Sequence, residues 1–311
     1  PNDEDPGASF VVFGKTDGTA VELSALEGSD NAGGFVINGV SVDNRSGWSV
    51  NSAGDVNGDG FDDLIIGAPN DDPNGPYSGA SFVVFGKTDG TPVEFSAVEA
   101  GTGGFVINGI AYASSGYSVS GAGDVNGDGL DDLIVGAFHD SPNGLSSGAS
   151  FVVFGKTDGT AVELSDIEAG TGGFVINGVA RDDQSGRSVS SAGDVNGDGL
   201  DDLIIGARFD DPNGESSGAS FVVFGKKDGT ALELSAIEAG TGGFVINGVS
   251  VYDQSGWSVS SAGDVNGDGF DDLIVGAKQD DPHGESSGAS FVVLGKTDGT
   301  AVELSDVETG T

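Results

Sequence analysis

Short runs of apolar residues recur along the chain, separated by stretches rich in Gly, Asp, Asn, Ser and Pro. The run Phe-Val-Val-Phe-Gly begins at Phe10, Phe82, Phe151 and Phe221, and returns as Phe-Val-Val-Leu-Gly at Phe291. A second run, Phe-Val-Ile-Asn-Gly, begins at Phe35, Phe105, Phe174 and Phe244. Copies lie about 70 residues apart, so a tandem repeat is the organising feature of the sequence.

The pattern within one repeat predicts four strands. Residues 47–53 form a short strand of small residues, and the continuous apolar run at 64–68 indicates a strand buried on both faces. Residues 80–85 are rich in β-branched and aromatic residues, and 105–107 end at an Asn-Gly turn pair. The stretch 91–100 predicts a short edge strand followed by a helical turn.

Four antiparallel strands per unit, repeated around an axis, describe a β-propeller blade, so the predicted fold class is all-β. A stacked solenoid is the alternative, but solenoid coils usually need only about 20–45 residues. The chain is predicted to be one array with about four to five blades' worth of sequence; blade number and ring closure stay open. The predicted units are a partial blade at 1–39, blades at 40–109, 110–178 and 179–248, and a partial blade at 249–311.

The charge balance narrows the possible partners. Fifty acidic residues oppose 11 Lys and Arg, for a net charge of -39. Such an acidic surface argues against binding nucleic acid, which needs clustered basic groups. Membrane insertion is also not expected, because no apolar run approaches the ~20 residues that it needs. There is no Cys, which excludes disulfides and thiol chemistry. Bound cations would neutralise the acids; halophilic adaptation is the alternative explanation.

The motif Asp-x-Asn-x-Asp-Gly-x-x-Asp, found once in each of four repeats, points to calcium. Ca²⁺ takes about 6–8 oxygen ligands. Most of them can come from the side chains at positions 1, 3, 5 and 9 and the carbonyl at position 7, and the Gly at position 6 permits the sharp turn that brings them together. Mg²⁺ prefers a smaller octahedral site, and Zn²⁺ lacks His and Cys ligands here. The predicted side-chain ligands are Asp55, Asn57, Asp59, Asp63, Asp124, Asn126, Asp128, Asp132, Asp194, Asn196, Asp198, Asp202, Asp264, Asn266, Asp268 and Asp272, with the carbonyls of Phe61, Leu130, Leu200 and Phe270.

Other acids near these loops are predicted to be solvated. At position 8 they are Asp62, Asp131, Asp201 and Asp271, and before the small-residue strand they are Asp43, Asp182, Asp183 and Asp253. A metal-free acidic turn is the alternative for the loops themselves. His139 and His283 each occur in one repeat only and are predicted to be surface loop residues.

The loop motif, followed by Leu-Ile-Ile-Gly-Ala-Pro from Leu64 and Phe-Val-Val-Phe-Gly from Phe82, resembles the FG-GAP repeat. The resemblance covers nearly the whole chain and implies the β-propeller of integrin α subunits and bacterial surface proteins, with Ca²⁺ bound between the first two strands of each blade. Three arrangements stay open: a piece of a longer propeller, a small ring of four or five blades, or end blades completed by neighbouring copies in a head-to-tail filament.

The leading functional hypothesis is a non-enzymatic, extracellular or cell-surface protein, structural or adhesive, rigidified by Ca²⁺ at about four sites. An export signal would lie outside this sequence. The second hypothesis is a module that binds cell-surface glycan or protein through Trp48, Tyr117, Arg187 and Trp257, which otherwise pack between blades. The third is a secreted hydrolase that uses Ca²⁺ as a Lewis acid.

Overall fold

The structure is a computed structural model that describes residues 7–28, 33–284 and 286–310. The predicted partial blade at 1–39 includes 1–6 and 29–32, and the one at 249–311 includes 285 and 311; these positions lie outside the described residues. No observation tests the predicted unit boundaries themselves, so they stay predictions.

Short strands dominate the described chain, with brief helices between them. The strands are β1 (Ala8–Val12), β2 (Gly34–Asn38), β3 (Ser49–Gly54), β4 (Asp63–Ala68), β5 (Ala80–Val84), β6 (Val93–Glu94), β7 (Gly104–Asn108), β8 (Val119–Gly123), β9 (Asp132–Ala137), β10 (Ala149–Val153), β11 (Val162–Glu163), β12 (Gly173–Asn177), β13 (Ser188–Gly193), β14 (Asp202–Ala207), β15 (Ala219–Val223), β16 (Leu232–Glu233), β17 (Gly243–Asn247), β18 (Ser255–Gly263), β19 (Asp272–Ala277), β20 (Ala289–Val293) and β21 (Val302–Glu303). The helices are a 3₁₀ turn (Leu23–Glu27), α1 (Phe95–Glu99), α2 (Leu164–Glu168), α3 (Leu234–Glu238) and α4 (Leu304–Thr309).

The strands form successive antiparallel sheets, which confirms the all-β fold of propeller-type blades. Strands β3, β4, β5 and β7 pair in chain order, as do β8, β9, β10 and β12, and β13, β14, β15 and β17. Strands β1 and β2 form part of an earlier sheet, and β18, β19 and β20 part of a later one. Strands β9 and β14 are buried along their whole length, as the continuous apolar run predicts.

Each blade also receives a short strand from the following repeat. The two-residue strand β11 pairs in parallel with β7, and β6, β16 and β21 add in the same way to β2, β12 and β17. Glu163 of β11 accepts hydrogen bonds from Asn108 Nδ2 and Asn74 Nδ2, both at 2.7 Å. The predicted edge strand is therefore present, but it belongs to the sheet of the preceding blade and ties the two repeats together.

The core lies between neighbouring sheets. One buried cluster joins Val83 and Phe105 of one blade to Leu133 and Phe151 of the next. Burying an aromatic or aliphatic side chain of this size contributes about 1.5–3 kcal/mol. Because each cluster needs residues from two repeats, a single blade cannot bury its own apolar surface, and stability depends on neighbours, as in other repeat proteins.

The first strands of successive blades lie side by side, which explains their small residues. The amide of Val119 in β8 donates to Ser49 Oγ in β3 at 3.2 Å. A Cβ on Gly121 would lie 2.8 Å from the carbonyl oxygen of Ser52. Only small side chains allow the strands to approach this closely.

Candidate metal centre

Each predicted metal loop connects the first two strands of a blade. The loop at 55–62 lies between β3 and β4, and its counterparts precede β9, β14 and β19. Position 9 of the motif is the first residue of the second strand in every copy. The sheet therefore fixes one carboxylate, while the loop positions the others around it.

Backbone amides orient the carboxylate at position 1. Asp55 Oδ1 accepts hydrogen bonds from the amides of Gly58 at 2.8 Å and Asp59 at 3.0 Å, and Asp55 Oδ2 accepts one from Gly60 at 2.8 Å. Both Gly58 and Gly60 have positive φ, which the tight loop requires and which glycine adopts without steric cost. The same three bonds recur on Asp124, Asp194 and Asp264.

The carboxylate at position 9 is buried beneath the loop. Asp63 accepts hydrogen bonds from the amides of Val56 and Gly86, at 3.1 and 2.7 Å. Burial, together with the smaller effect of the charges of Asp59 and Asp55, raises the pKa of Asp63 to about 6. Burial and loop acids likewise raise the pKa values of Asp132 and Asp202 to about 7. The more exposed loop acids therefore repel a position-9 carboxylate that is itself desolvated.

The Asn at position 3 faces position 9 in three of the loops. Its Nδ2 lies 3.3 Å from a carboxylate oxygen of Asp63, Asp132 or Asp202 in the first three copies. In the fourth copy Asn266 instead donates to Asp268 at 2.9 Å. Val56 is fully buried beneath the next blade, whereas the equivalent Val265 is 58% exposed. The fourth loop differs because no described blade covers it.

The donor chemistry of each loop fits a hard cation. Three carboxylates, one amide oxygen and a carbonyl are the ligand types that Ca²⁺ prefers, and their mutual repulsion is the electrostatic cost that a divalent cation offsets. Across residues 7–28, 33–284 and 286–310, no three His, Cys, Asp or Glu side chains form a preassembled metal cluster. The ligand set stays a prediction.

The prediction that the position-8 acids are solvated is wrong for three of them. Asp131 Oδ2 accepts a hydrogen bond from the amide of Asp55 in the preceding blade at 2.8 Å. In the same way, Asp201 accepts a hydrogen bond from the amide of Asp124 at 2.8 Å. Asp271 accepts one from the amide of Asp194 at 3.0 Å. Asp62 is exposed, as predicted. The acids at position 8 thus link each loop to its neighbour.

The repeating strand–loop–strand unit matches a known family model. The description of that model is "FG-GAP repeat", and it matches residues 46–84, 115–153, 185–223 and 255–293, which together make up half of the chain. The chain belongs to the FG-GAP repeat family. Each match contains one predicted metal loop with the two strands around it, so the family unit coincides with the candidate site.

Integrin α chains and a phospholipase are among the proteins that are similar to this FG-GAP chain. "Integrin alpha pat-2" of Caenorhabditis elegans is 30% identical over 236 residues, 73% of this chain and 17% of that protein. "Integrin alpha-5" of Xenopus laevis is 30% identical over 241 residues, 76% of this chain and 20% of that protein. "Phosphatidylinositol-glycan-specific phospholipase D" of Bos taurus is 27% identical over 218 residues, 69% of this chain and 24% of that protein. The FG-GAP chain thus spans a quarter or less of each relative.

Some acids of the FG-GAP chain are buried at the opposite end of the blades. Asp183 and Asp253, predicted to be solvated, are buried and accept hydrogen bonds from the amides of Ala180 and Ser250 at 2.7 Å. Burial raises the pKa of Asp183 to about 6 and that of nearby Asp210 to about 7. The prediction failed because each carboxylate turns into its own loop and accepts a hydrogen bond from the backbone amide three residues earlier.

The remaining predictions for single residues have mixed outcomes. Asp43 and Asp182 are exposed, as are His139 and His283, in agreement with the sequence analysis. The aromatic ring of Trp48 is exposed, whereas those of Tyr117 and Trp257 are half-buried. No helix in the described ranges is long and apolar enough to cross a membrane.

Proposed function

We propose that this chain is a calcium-stabilised, non-enzymatic β-propeller module of an extracellular or cell-surface protein, with an adhesive or structural role. The observation that carries the proposal is the link between loop and blade interface. The residue that opens a predicted metal loop, Asp55, is also hydrogen-bonded to the next blade through Asp131. An ion held by the loop would therefore stabilise two blades together.

Calcium is the proposed ion, bound by the predicted ligands in each of four loops. The carboxylates at positions 1, 5 and 9 carry three negative charges, and the Asn oxygen and the position-7 carbonyl supply further hard donors. Extracellular Ca²⁺ modules commonly bind with Kd values of about 10⁻⁴–10⁻³ M, a range that suits a calcium-rich exterior. Calcium at a hundred times Kd would add about 2.7 kcal/mol to folding stability per site.

The adhesive role is inferred from relatives. The matches include integrin α chains of nematode and frog, and the likeness to them supports an extracellular or cell-surface setting for this chain. One match bears the name of a phospholipase, so the repeat also occurs in a protein named as an enzyme. The distinctive acids of this chain recur in every repeat, whereas an active site needs dissimilar groups that converge on one point. This favours the non-enzymatic reading.

Self-assembly is a further part of the proposal. Within the described residues, β1 pairs only with β2, and β20 pairs only with β19. Unpaired strand edges of this kind can accept a strand from another copy, which would extend the array head to tail. Electron microscopy of purified chains in calcium would then show filaments, and only separate particles would contradict this part.

A calcium count tests the proposed site directly. In equilibrium dialysis, the chain should bind four Ca²⁺ ions, and Asp128→Asn should bind three, because it removes a ligand charge while retaining an acceptor for the Leu130 amide. Asp62→Asn, which changes an exposed acid beside a loop, is the matched control and should still bind four. The proposal fails if the unmodified chain binds no calcium at millimolar concentration or if Asp128→Asn loses none.

A further inference from the structure

Two of the positions at which the repeats differ lie close together in the structure. One position lies just before the first strand, or near its start in the case of Trp257, and the other follows the Gly-Ala pair at the end of the second strand. Both are at the end of the blade opposite the metal loop, about 20 Å away for strands of this length. The residues at the first position are Trp48, Tyr117, Arg187 and Trp257, and those at the second are Pro69, Phe138, Arg208 and Lys278.

Six of these residues form a continuous surface that crosses four repeats, here called the basic–aromatic strip: Trp48, Tyr117, Arg187, Arg208, Trp257 and Lys278. The ring centroids of Trp48 and Tyr117 are 5.2 Å apart. The guanidinium of Arg187 lies 4.5 Å from the Tyr117 ring and 5.9 Å from the Trp257 ring. Arg208 and Lys278 lie 4.4 and 3.8 Å from the Trp257 ring. The strip therefore begins with two adjacent rings, Trp48 and Tyr117, and continues with three cations around the ring of Trp257.

Among the described residues, the cations of the strip have no carboxylate partner, although the chain contains 50 acids. The repeated lysines, by contrast, each pair with the Asp two residues later, at 2.7 to 3.2 Å. Within the described part of the chain, Arg187, Arg208 and Lys278 form no ion pair. Arg187 instead donates to the hydroxyl of Tyr117 at 2.8 Å.

Arg208 is the most constrained of these cations. It is only 9% exposed, and its buried Nε has no hydrogen-bond partner among the described residues. Its Nη2 donates to Gln184 at 3.1 Å. Burial and the neighbouring charge of Arg187 lower the pKa of Arg208 to about 10, so the side chain is still charged at neutral pH. Two adjacent guanidinium groups without an anion are unfavourable in isolation and are suited to binding one.

We propose that the basic–aromatic strip binds a carboxylated pyranose, that is, an acidic sugar of a glycan. Arg187 and Arg208 would receive the sugar carboxylate, because planar guanidinium groups match its two oxygens. Trp48 is 46% accessible, and a neighbouring sugar can stack on its ring by displacing the exposed Arg45 side chain, whose guanidinium lies 5.3 Å from the ring centroid. The inference names the partner for the adhesive role and rests on that role for its biological meaning, but it does not require calcium.

The charge of the rest of the molecule selects against other anions. Electrostatic interactions are screened over about 8 Å at physiological ionic strength, so a single carboxylate on the strip meets mainly the local cations. A densely charged polymer such as DNA would extend over the acidic surface of a chain with a net charge of -39 and be repelled. An acidic peptide could pair with the arginines but gives no reason for the interleaved aromatic rings.

Binding of matched sugar pairs tests the proposal. Isothermal titration would compare 3′-sialyllactose with lactose, and a glucuronate-containing hyaluronan tetrasaccharide with chitotetraose, so the two pairs distinguish a sialate from a uronate source. We expect at least tenfold tighter binding of one acidic member than of its neutral partner, with affinity falling as salt increases. Equal binding within both pairs would overturn the proposal, as would tighter binding of an oligoglutamate peptide than of either acidic sugar.

Three variants locate the binding to the strip. Arg187→Gln should weaken binding of the acidic sugar at least tenfold, and Arg187→Lys should restore part of it. Trp48→Leu tests the stacking face and should weaken binding independently of charge. Arg181→Gln is the matched control, because Arg181 is exposed, lies in the same repeat and pairs with Asp182 at 3.1 Å; it should bind as the unmodified chain does. Unchanged binding in both Arg187→Gln and Trp48→Leu would overturn the assignment.

Calcium stoichiometry, measured on the same samples, separates this inference from the proposed function. Sugar binding that fails while four calcium ions bind would reject the strip alone. Calcium binding that fails while the acidic sugar binds through Arg187 would reject the metal proposal alone. Calcium-bound Arg187→Gln that retains its four ions shows that the chain is folded, so that a loss of sugar binding reports on the strip.

Discussion

The carboxylate of Asp131 accepts a hydrogen bond from the backbone amide of Asp55, in the predicted metal loop of the preceding blade, at 2.8 Å. The amide of Asp131 donates in return to the carbonyl oxygen of Asp55 at 3.2 Å. The same pair of bonds joins Asp201 to Asp124 and Asp271 to Asp194. Each predicted metal loop is therefore part of the interface between two blades. A substitution in the loop should change the stability of that interface, and a substitution at the interface should change the loop.

Removal of the Asp131 carboxylate should destabilise the fold. Asp131→Ala leaves the partly buried amide of Asp55 without its acceptor, and an unsatisfied group of this kind costs about 1–3 kcal/mol. Urea unfolding in the absence of calcium would measure the loss. Asp62→Ala, the same motif position where the side chain is exposed, should change the free energy of unfolding by less than about 0.5 kcal/mol. Equal effects of the two variants would contradict the interblade role.

The glycine before each loop provides a steric test of the same contact. Gly54 has φ +72°, and a Cβ there would lie 2.1 Å from Asp131 Oδ2. Gly263 has φ +66°, but a Cβ there would meet no atom within 4 Å. Both alanine variants should lose about 1–2 kcal/mol from the left-handed backbone, and Gly54→Ala should lose a further 1–3 kcal/mol or so from the clash. Thermal unfolding would show Gly54→Ala melting clearly below Gly263→Ala; the reverse order would rule out the contact.

The buried acid Asp210 should make stability depend on pH. Burial and the charge of Asp183 raise the pKa of Asp210 to about 7, well above that of an unfolded aspartate. The folded state thus holds the proton more tightly, so this stabilisation is complete at low pH and is lost as the pH rises through 7. The free energy of unfolding should fall by on the order of 2 kcal/mol between pH 5 and pH 7.5.

Comparison of variants isolates the contribution of Asp210 from that of the loop acids. Asp210→Asn should flatten the pH dependence in calcium-free urea titrations, whereas Asp182→Asn, which changes an exposed acid of the same repeat, should leave the slope unchanged. A slope that is the same in Asp210→Asn and in the unmodified chain would show that Asp210 titrates like an ordinary surface carboxylate.

The four proposed calcium sites should not be equivalent. In the described structure the loop of Asp264 receives no carboxylate from a following blade, and its Val265 is largely exposed. The loop of Asp124 is held by Asp201, and its Val125 is fully buried. Because a preorganised loop loses less entropy when it binds an ion, the Asp264 loop should have the weakest affinity.

Calorimetric titration of two matched variants would test this order. Asp268→Asn should remove the weakest binding step, and Asp128→Asn should remove a tighter one. Four identical affinities, or loss of the tightest step in Asp268→Asn, would show that blade contacts do not preorganise the loops.

The sequence by itself determined the parts of this protein that depend on local patterns. The alternation of apolar runs with Gly- and Asn-containing turns fixes the strands, because side-chain periodicity and backbone preference act over a few residues. The apolar run at 64–68 predicts β4 and its burial, and the spacing of acids and glycine from Asp55 predicts a closed loop between two strands. The repeated motif was also sufficient to predict membership of the FG-GAP family.

Only the tertiary structure decided what surrounds each copy of the pattern. Asp62 and Asp131 occupy the same position of the same motif, yet one is exposed and the other binds Asp55 in the blade before it. Val56 and Val265 likewise share a motif position but differ in burial. The physical reason is that their environments come from residues about 70 positions away, in the neighbouring repeat. Identical local sequences cannot specify these different surroundings. The packing of one blade against the next determines them.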